Sequence, residues 1–296
     1  MEKQRITTIK MIDFILVPFN YSYMVNAMTI SSLVGGVCGL LSCYLMLKGW
    51  SLIGDALSHS VVPGVAGAYM LGLPFSLGAF FSGGLAASTM LFLSEKTKLK
   101  QDVIIGLIFS SFFGLGLFIV SLSPTSVDIQ TIVLGNILAI TPYDSIQLII
   151  ICAITLLVLA INWRNLLVVF FDENHAKSIG LNPVTQKIIF FTILSASTVA
   201  ALQTVGAFLV IAMVIIPGAT AYLLADRFTM VLLISFLIGS ISSFLGAYLS
   251  FYIDGATGGI IVLLQAFIFI IVFLFAPKHG YLNLKNISKT FKEIND

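Results

Sequence analysis

The chain has 296 residues, of which 58% are hydrophobic and only 9% are charged. A water-soluble domain carries about 25% charged residues, so this chain has too little polar surface for an aqueous globule and is expected to be solvated by lipid. Its 15 basic and 13 acidic residues give a net charge of +2. The basic residues are scattered at segment ends and form no basic stripe, which argues against nucleic acid as a partner.

Nine apolar runs predict transmembrane helices, because a bilayer core about 30 Å thick requires about 20 helical residues. In chain order, the runs are 24–47, 50–71, 74–94, 103–121, 144–162, 186–203, 205–225, 229–252 and 257–276. A further apolar segment, 127–141, is too short for a span and predicts a half-helix or re-entrant segment. The fold class is therefore all-α, a polytopic membrane protein with about eight or nine spans. Residues 1–21 form an N-terminal segment, 22–277 the transmembrane domain and 278–296 a tail.

Lysine and arginine in the short loops predict the orientation, since cytoplasmic loops are enriched in these residues. With nine spans, the basic loop after residue 94, the segment 163–185, the turn at Arg227 and the tail all fall on the cytoplasmic side. The C-terminus is then cytoplasmic. The basic N-terminal end lies outside, against the rule, so a span count that differs by one is the alternative.

Asp55 and His59 are the residues of the second predicted span that carry ionisable acid or base groups. Their i, i+4 spacing places both side chains on one helix face. A carboxylate inside a bilayer costs about 2.5–3.5 kcal/mol, so it requires compensation, and a bound cation is the strongest form. Carboxylate oxygen and imidazole nitrogen suit Mn, Fe(II) and Zn. We predict that Asp55 and His59 are metal ligands.

Two ligands are too few for a closed metal site, which usually has four or more. A second copy or a related chain across a shared axis would supply the missing ligands, so the pattern points to a dimeric pore. The alternative is a structural hydrogen bond between Asp55 and His59 that links two helices. His175 and His279 lie in polar segments and are not expected to bind metal.

Pro63 and Pro217 lie inside predicted spans and are expected to kink them. A kinked helix beside a pathway suits gating, and a role in packing alone is the alternative. Neither interpretation is decided by the sequence.

The polar segment 163–185 interrupts the membrane pattern. Asp172 and Glu173 suit the N-terminus of a short helix, and Gly180 suits its C-terminal cap before Pro183. We predict a cytoplasmic helix at about 172–182. It is either an ordinary connection or a docking helix that receives force from a cytoplasmic motor.

These residues resemble the permeases of the manganese, iron and zinc ABC importers, the ABC-3 family. The resemblance covers about residues 20–280 and is greatest to the iron/manganese permeases of Gram-negative bacteria. Its most specific motif is GDALSHSVVPG at 54–64. Further matching positions are Asp102, Gly106, LGNIL at 134–138, TVGAFLV at 204–210, IPGATA at 216–221, Thr257 and Gly258.

The resemblance implies a multi-pass protein of the bacterial inner membrane with a fold like that of type II importers. It implies a second permease as partner, either a second copy or a related chain, and a cytoplasmic ATPase dimer that docks on the coupling helix at 172–182, with contacts from Asp172, Glu173, Ala176 and Gly180. A periplasmic or surface protein delivers the metal. Asp55 and His59 are the implied pathway ligands for Mn(II) or Fe(II), with zinc as the alternative, and no permanently bound cofactor is expected.

Two further classes of function are alternatives to an ATP-driven importer. A proton-driven secondary carrier predicts more intramembrane acids and an inverted repeat, and an intramembrane enzyme would use Asp55 and His59 as acid and base. The sequence lacks the P-loop motif G-x-x-x-x-G-K-[ST], the H-E-x-x-H motif and the G-x-S-x-G motif. We therefore expect a transport subunit whose ATP is hydrolysed by a partner.

Overall fold

The computed structural model describes residues 15–50, 52–122 and 137–276, and all regular structure in these ranges is helical. The α-helices are α1 (Ser22–Lys48), α2 (Ile53–Ser60), α3 (Val62–Leu71), α4 (Phe75–Lys96), α5 (Gln101–Leu122), α6 (Pro142–Phe171), α7 (Glu173–Ser178), α8 (Pro183–Val205), α9 (Ala207–Leu224), α10 (Phe228–Ile253) and α11 (Thr257–Phe275). Short 3-10 turns precede α1 at Val17–Asn20 and α6 at Ile137–Ala139.

Seven of these helices are long and apolar enough to cross a membrane: α1, α4, α5, α6, α8, α10 and α11. The predicted span 50–71 is divided into α2 and α3, which we call the broken span, and the predicted span 205–225 contains the 18-residue α9. Each of the nine predicted spans therefore corresponds to one helix or a broken pair. The prediction of an all-α polytopic membrane protein is confirmed.

The fifth predicted span is longer than the sequence indicated. We expected it to end at residue 162, but α6 continues without interruption to Phe171 and has 30 residues, about 45 Å of helix. Beyond the arginine at 164, Leu166, Val169 and Phe170 recur at helical spacing and are buried. This apolar face continues the helix to Phe171 and places α7 directly after it.

Three predictions concern segments that fall wholly or partly outside the described residues. They are the N-terminal segment 1–21, described only from residue 15, the half-helix at 127–141, described only from residue 137, and the tail 278–296. They stay predictions.

The helix α1 lies at the centre of the bundle, and 72% of its most apolar 18-residue stretch is buried. It packs against α10 through small residues, because a Cβ on Gly35 or Gly39 would collide with the backbone of Gly239 or Ser235. The Ser235 hydroxyl donates to the Gly39 carbonyl. Small residues of this kind allow membrane helices to approach closely, so α1 forms a rigid frame around which the broken span is arranged.

Candidate functional site

The Asp–His pair, Asp55 and His59, lies on α2 inside the bundle. Asp55 occupies the first turn of this eight-residue helix and His59 its last turn. The Nε2 atom of His59 lies 3.4 Å from Oδ1 of Asp55, and the two side chains are 11% and 36% exposed, respectively. A carboxylate in the first helical turn is favoured by the helix dipole. The i, i+4 spacing therefore brings the two groups together as the sequence predicted.

The neighbours of the Asp–His pair lie near the midpoints of two helices. The His59 ring contacts Phe109 and Phe113, the ninth and thirteenth residues of the 22-residue helix α5. A Cβ built on Gly54, the residue before Asp55, would lie 3.5 Å from the side chain of Val214. Val214 is the eighth residue of the 18-residue α9. Both neighbours lie near the midpoints of their helices, so the pair is in the middle of the bundle along the direction of these helices.

Two phenylalanines from α5 hold the imidazole of His59. Phe109 and Phe113 stack on each other with an interplanar angle of 6°. The His59 ring meets both at centroid distances of 5.2 and 5.4 Å and at angles of 82° and 78°. This edge-to-face geometry is the favoured one for aromatic pairs. The sequence analysis missed these two residues, although their i, i+4 spacing on an apolar helix was a usable signal.

A tryptophan fixes the chain just before α2. Trp50 is 5% exposed, and its ring contacts Phe170 of α6 at 5.4 Å and stacks on Phe191 of α8 at 5.5 Å. The chain turns at Gly49, whose φ of +71° lies in the left-handed region that glycine adopts freely. The turn and the anchored ring return the chain into the bundle at the start of α2.

The broken span is interrupted at Val61, two residues before Pro63. Proline lacks the N–H that the helix ladder requires, and it is tolerated in a first turn, which is its position in α3. The hydroxyl of Ser82 on α4 donates to the Ser60 carbonyl at 2.6 Å. This interhelical bond lies at the interruption and connects α4 to the C-terminal end of the helix that carries the Asp–His pair.

Pro217 lies inside α9 without dividing it. On the facing helix α1, the Ser42 hydroxyl donates to the Ile215 carbonyl at 2.9 Å and accepts from the Gly218 N–H at 3.0 Å. A serine from a neighbouring helix can satisfy backbone groups that a proline releases in a membrane helix. Ser42, which the sequence analysis did not single out, therefore supports the backbone around Pro217.

The described residues contain no group of three or more His, Cys, Asp and Glu side chains that could hold a metal ion. The Asp–His pair offers one carboxylate and one imidazole, a donor set suited to divalent transition metals. That the two side chains are metal ligands stays a prediction.

The short helix α7, which we call the loop helix, follows α6 directly. Asp172 is its N-cap, and Oδ1 of this residue accepts from the N–H groups of Asn174 and His175. At the other end Gly180 has a φ of +84°, and the N–H of Leu181 donates to the Ala176 carbonyl at 3.0 Å. These are the features of a Schellman cap, so the predicted roles of Asp172 and Gly180 as helix ends agree with the geometry.

The residues expected to contact an ATPase separate into two groups. Asp172 and Gly180 are exposed, whereas Ala176 is fully buried. The side chain of Ala176 therefore packs the loop helix onto the bundle and leaves contact with another protein to its exposed neighbours. Glu173 is half-buried and has a partner within the chain.

That partner is Lys187, in the second turn of α8. Its ammonium lies 2.9 Å from Oε2 of Glu173 and 2.6 Å from Oε1 of Glu95, the penultimate residue of α4. We call these three residues the ion cluster. Partial burial raises the pKa of Glu173, but the hydrogen bond and charge of Lys187 outweigh it and hold the pKa below its ordinary value. The cluster joins residues 92 positions apart, and the sequence did not indicate it.

The apolar helices define a multi-pass membrane protein, and the Asp–His pair is a polar site within its helix bundle. The model of the family described as "ABC 3 transport family" matches residues 20–276, and the chain belongs to this family. The family assignment predicted from the sequence is confirmed.

Relatives of the chain cover most of its length. It is 62% identical over 272 residues to the chelated iron transport system membrane protein YfeC of Yersinia pestis, with 92% of each chain covered. It is 45% identical to the manganese transport system membrane protein MntB of Synechocystis sp., with 90% of this chain and 87% of that protein covered. The solved structure of PsaBC from Streptococcus pneumoniae in complex with Fab matches at 37% identity and a TM-score of 0.82, covering 93% of this chain and 99% of that chain.

Proposed function

We propose that this chain is the membrane-spanning permease subunit of an ATP-driven importer of divalent metal ions, with Mn(II) or Fe(II) as its substrate. The observation that carries the proposal is the Asp–His pair within a bundle of apolar helices. A carboxylate inside a bilayer is costly without a cation. A transported cation compensates this cost while it passes.

The incomplete ligand set suits transport better than storage, because a conducting site must also release its ion. A second permease, identical or related, would bring another Asp–His pair to a shared axis and complete four ligands. The names of the relatives refer to iron and manganese transport, which favours these two metals over zinc. The donor set alone does not exclude zinc.

A cytoplasmic ATPase dimer would supply the energy, and the loop helix is the surface on which it would dock. The exposed residues of this helix and its two ends are candidates for the contact: Asp172, Asn174, His175, Lys177, Ser178 and Gly180. Pro63 and Pro217 lie where the helices can bend between inward and outward states. A periplasmic or surface protein would deliver the metal, and the permease itself would carry no ATPase site. The lysine and arginine residues of the short loops favour a cytoplasmic C-terminus in an inner-membrane protein.

Metal uptake by reconstituted vesicles tests the proposal. The chain is co-expressed with its ATPase and delivery protein, and ATP-dependent uptake of radiolabelled manganese is measured for the wild type and for Asp55→Asn. We expect uptake to fall to about a tenth or less, because losing one charge-assisted contact costs about 1.5–3 kcal/mol, and assembly of the complex should be unaffected.

The matched control is Asp254→Asn, the same change at an exposed residue in the turn after α10. Asparagine tolerates the left-handed conformation that Asp254 adopts. Wild-type uptake by Asp55→Asn would refute the site, and uptake that persists without the ATPase would favour an ion-coupled carrier. Competition by unlabelled Mn(II), Fe(II) and Zn(II) ranks the metals.

A further inference from the structure

The ion cluster connects α4 to two helices that lie far from it in the chain, the loop helix and α8. Lys187 belongs to α8, Glu173 to the first turn of the loop helix, and Glu95 to the last turn of α4. The side chain of Lys187 is only 7% exposed, and those of Glu173 and Glu95 are 27% and 33% exposed. The ammonium is therefore enclosed between two carboxylates that come from different helices.

Removing one partner from such a cluster has a large effect. A buried ammonium needs its partners, because the loss of one leaves a charge uncompensated in a low-dielectric environment. Glu95 also lies at the C-terminal end of α4, where the helix dipole disfavours a negative charge. The cation of Lys187 thus stabilises Glu95 at that position while it binds Glu173.

The helix α4 continues from the ion cluster to the broken span. Ser82, thirteen residues before Glu95 and about 20 Å along the helix, donates to the Ser60 carbonyl at the interruption. Farther along, α4 and α3 are in close contact, because a Cβ on Gly64 or Gly78 would collide with the backbone of the other. A shift of α4 along or across its axis therefore acts on the helix that carries the Asp–His pair.

We propose that Lys187 is a positioning residue that couples the loop helix to α4, so that a displacement of the loop helix by the ATPase reaches the Asp–His pair through α4. This inference rests on the proposed function. Packed helices joined by hydrogen bonds and salt bridges transmit such displacements when they have discrete arrangements. The loop helix is also attached to α6 and α8 through the backbone, and α8 packs against α4, since a Cβ on Gly83 would collide with Ser195. Lys187 with Glu95 and Glu173 is the charged contact that joins the loop helix to the end of α4.

Transport stoichiometry tests this role better than transport alone. The ratio of manganese ions imported to ATP molecules hydrolysed is measured for the complete reconstituted complex with the wild-type chain, Glu95→Gln and Lys187→Met. We expect the ratio to fall about tenfold in both variants while ATP hydrolysis continues. Lys187→Arg should restore most of the ratio, because a guanidinium can bind two carboxylates.

Lys96→Met is the matched control, since it makes the same change at an exposed lysine beside Glu95. Its ratio should equal that of the wild type. Glu95→Gln keeps the contact between Lys187 and Glu173, so it isolates the link to α4 even if Lys187→Met fails to fold.

A wild-type ratio for Glu95→Gln would overturn the coupling proposal. Absence of ATP-dependent manganese uptake by the wild type would instead refute the proposed function, so the two failures are distinguishable. Non-additive effects of Glu173→Gln and Glu95→Gln in a double-mutant cycle are expected, because both carboxylates share one cation.

Discussion

The close contact between α3 and α4 gives a sharp prediction for Gly64. A Cβ built on Gly64 lies 2.5 Å from the Cβ of Ser82 and closer than 3.0 Å to the backbone of Gly78. Ordinary contact between carbon atoms begins near 3.4 Å, so Gly64→Ala forces the two helices apart by about 1 Å. The obstacle on one side is backbone, which cannot rotate away as a flexible side chain can.

The expected change in the free energy of unfolding of Gly64→Ala is the sum of two opposing effects. Overpacking of this kind costs about 1–3 kcal/mol, whereas replacing glycine by alanine in a helix gains about 0.5–1 kcal/mol. We expect Gly64→Ala to lower the free energy of unfolding by about 1–2 kcal/mol. Because α3 directly follows α2 in the chain, a displacement of α3 also moves the helix that carries the Asp–His pair. Metal uptake should therefore fall as well.

Gly67→Ala provides the control on the same helix. No atom lies within 4 Å of a Cβ built at Gly67, so this variant should be as stable as the wild type or slightly more stable. The pair Gly78 and Gly84 on α4 repeats the comparison, since a Cβ on Gly78 collides with Gly64 and one on Gly84 meets no atom within 4 Å. Unfolding of purified protein in bicelles measures the difference. Equal stability of Gly64→Ala and Gly67→Ala would refute the close approach.

Ser42→Ala removes the hydroxyl that bonds both Ile215 and Gly218 beside Pro217, and we expect a loss of about 1–2 kcal/mol in unfolding free energy. Ser31→Ala on the same helix should cost less, since the Ser31 hydroxyl donates to Ala27 within its own helix, and equal losses would contradict the bridging role. Because the pKa of Glu173 is lowered from its ordinary value of 4.5, the ionised carboxylate stabilises the folded protein at pH values above 4.5. This stabilisation is lost as the pH falls through the lowered pKa. The difference in unfolding midpoint between wild type and Glu173→Gln should therefore be largest at neutral pH and shrink in acid, and a pH-independent difference would count against the ion cluster.

The sequence predicted the positions of the spans well, because each span is recognised by the apolarity of its own residues. It also indicated the Asp–His pair, since a charged group inside an apolar run is conspicuous and i, i+4 spacing is local geometry. The predicted end of the fifth span at residue 162 was wrong because the polar, mixed composition of residues 163–185 suggested a loop, whereas the buried face at Leu166, Val169 and Phe170 keeps the helix intact.

Contacts between helices were not predictable in the same way. In the sequence, Lys187 has the features of an ordinary basic residue at a membrane boundary. In the folded chain, α4 and the loop helix bring two carboxylates within 3 Å of its ammonium group. Ala176 reads as part of a docking surface until the packing of the loop helix buries it. In both cases the decisive neighbours are distant in the chain.

The sequence by itself determined that this chain spans a membrane as helices. It also identified Asp55 and His59 as ionisable residues in an apolar segment, where they are energetically costly. Only the tertiary structure revealed which helices surround the Asp–His pair, the phenylalanines that contact His59, the hydrogen bonds of Ser42 beside Pro217 and the ion cluster. The physical reason is that insertion into lipid depends on the hydrophobicity of each segment, whereas association of helices inside lipid depends on close packing and on hydrogen bonds between particular residues.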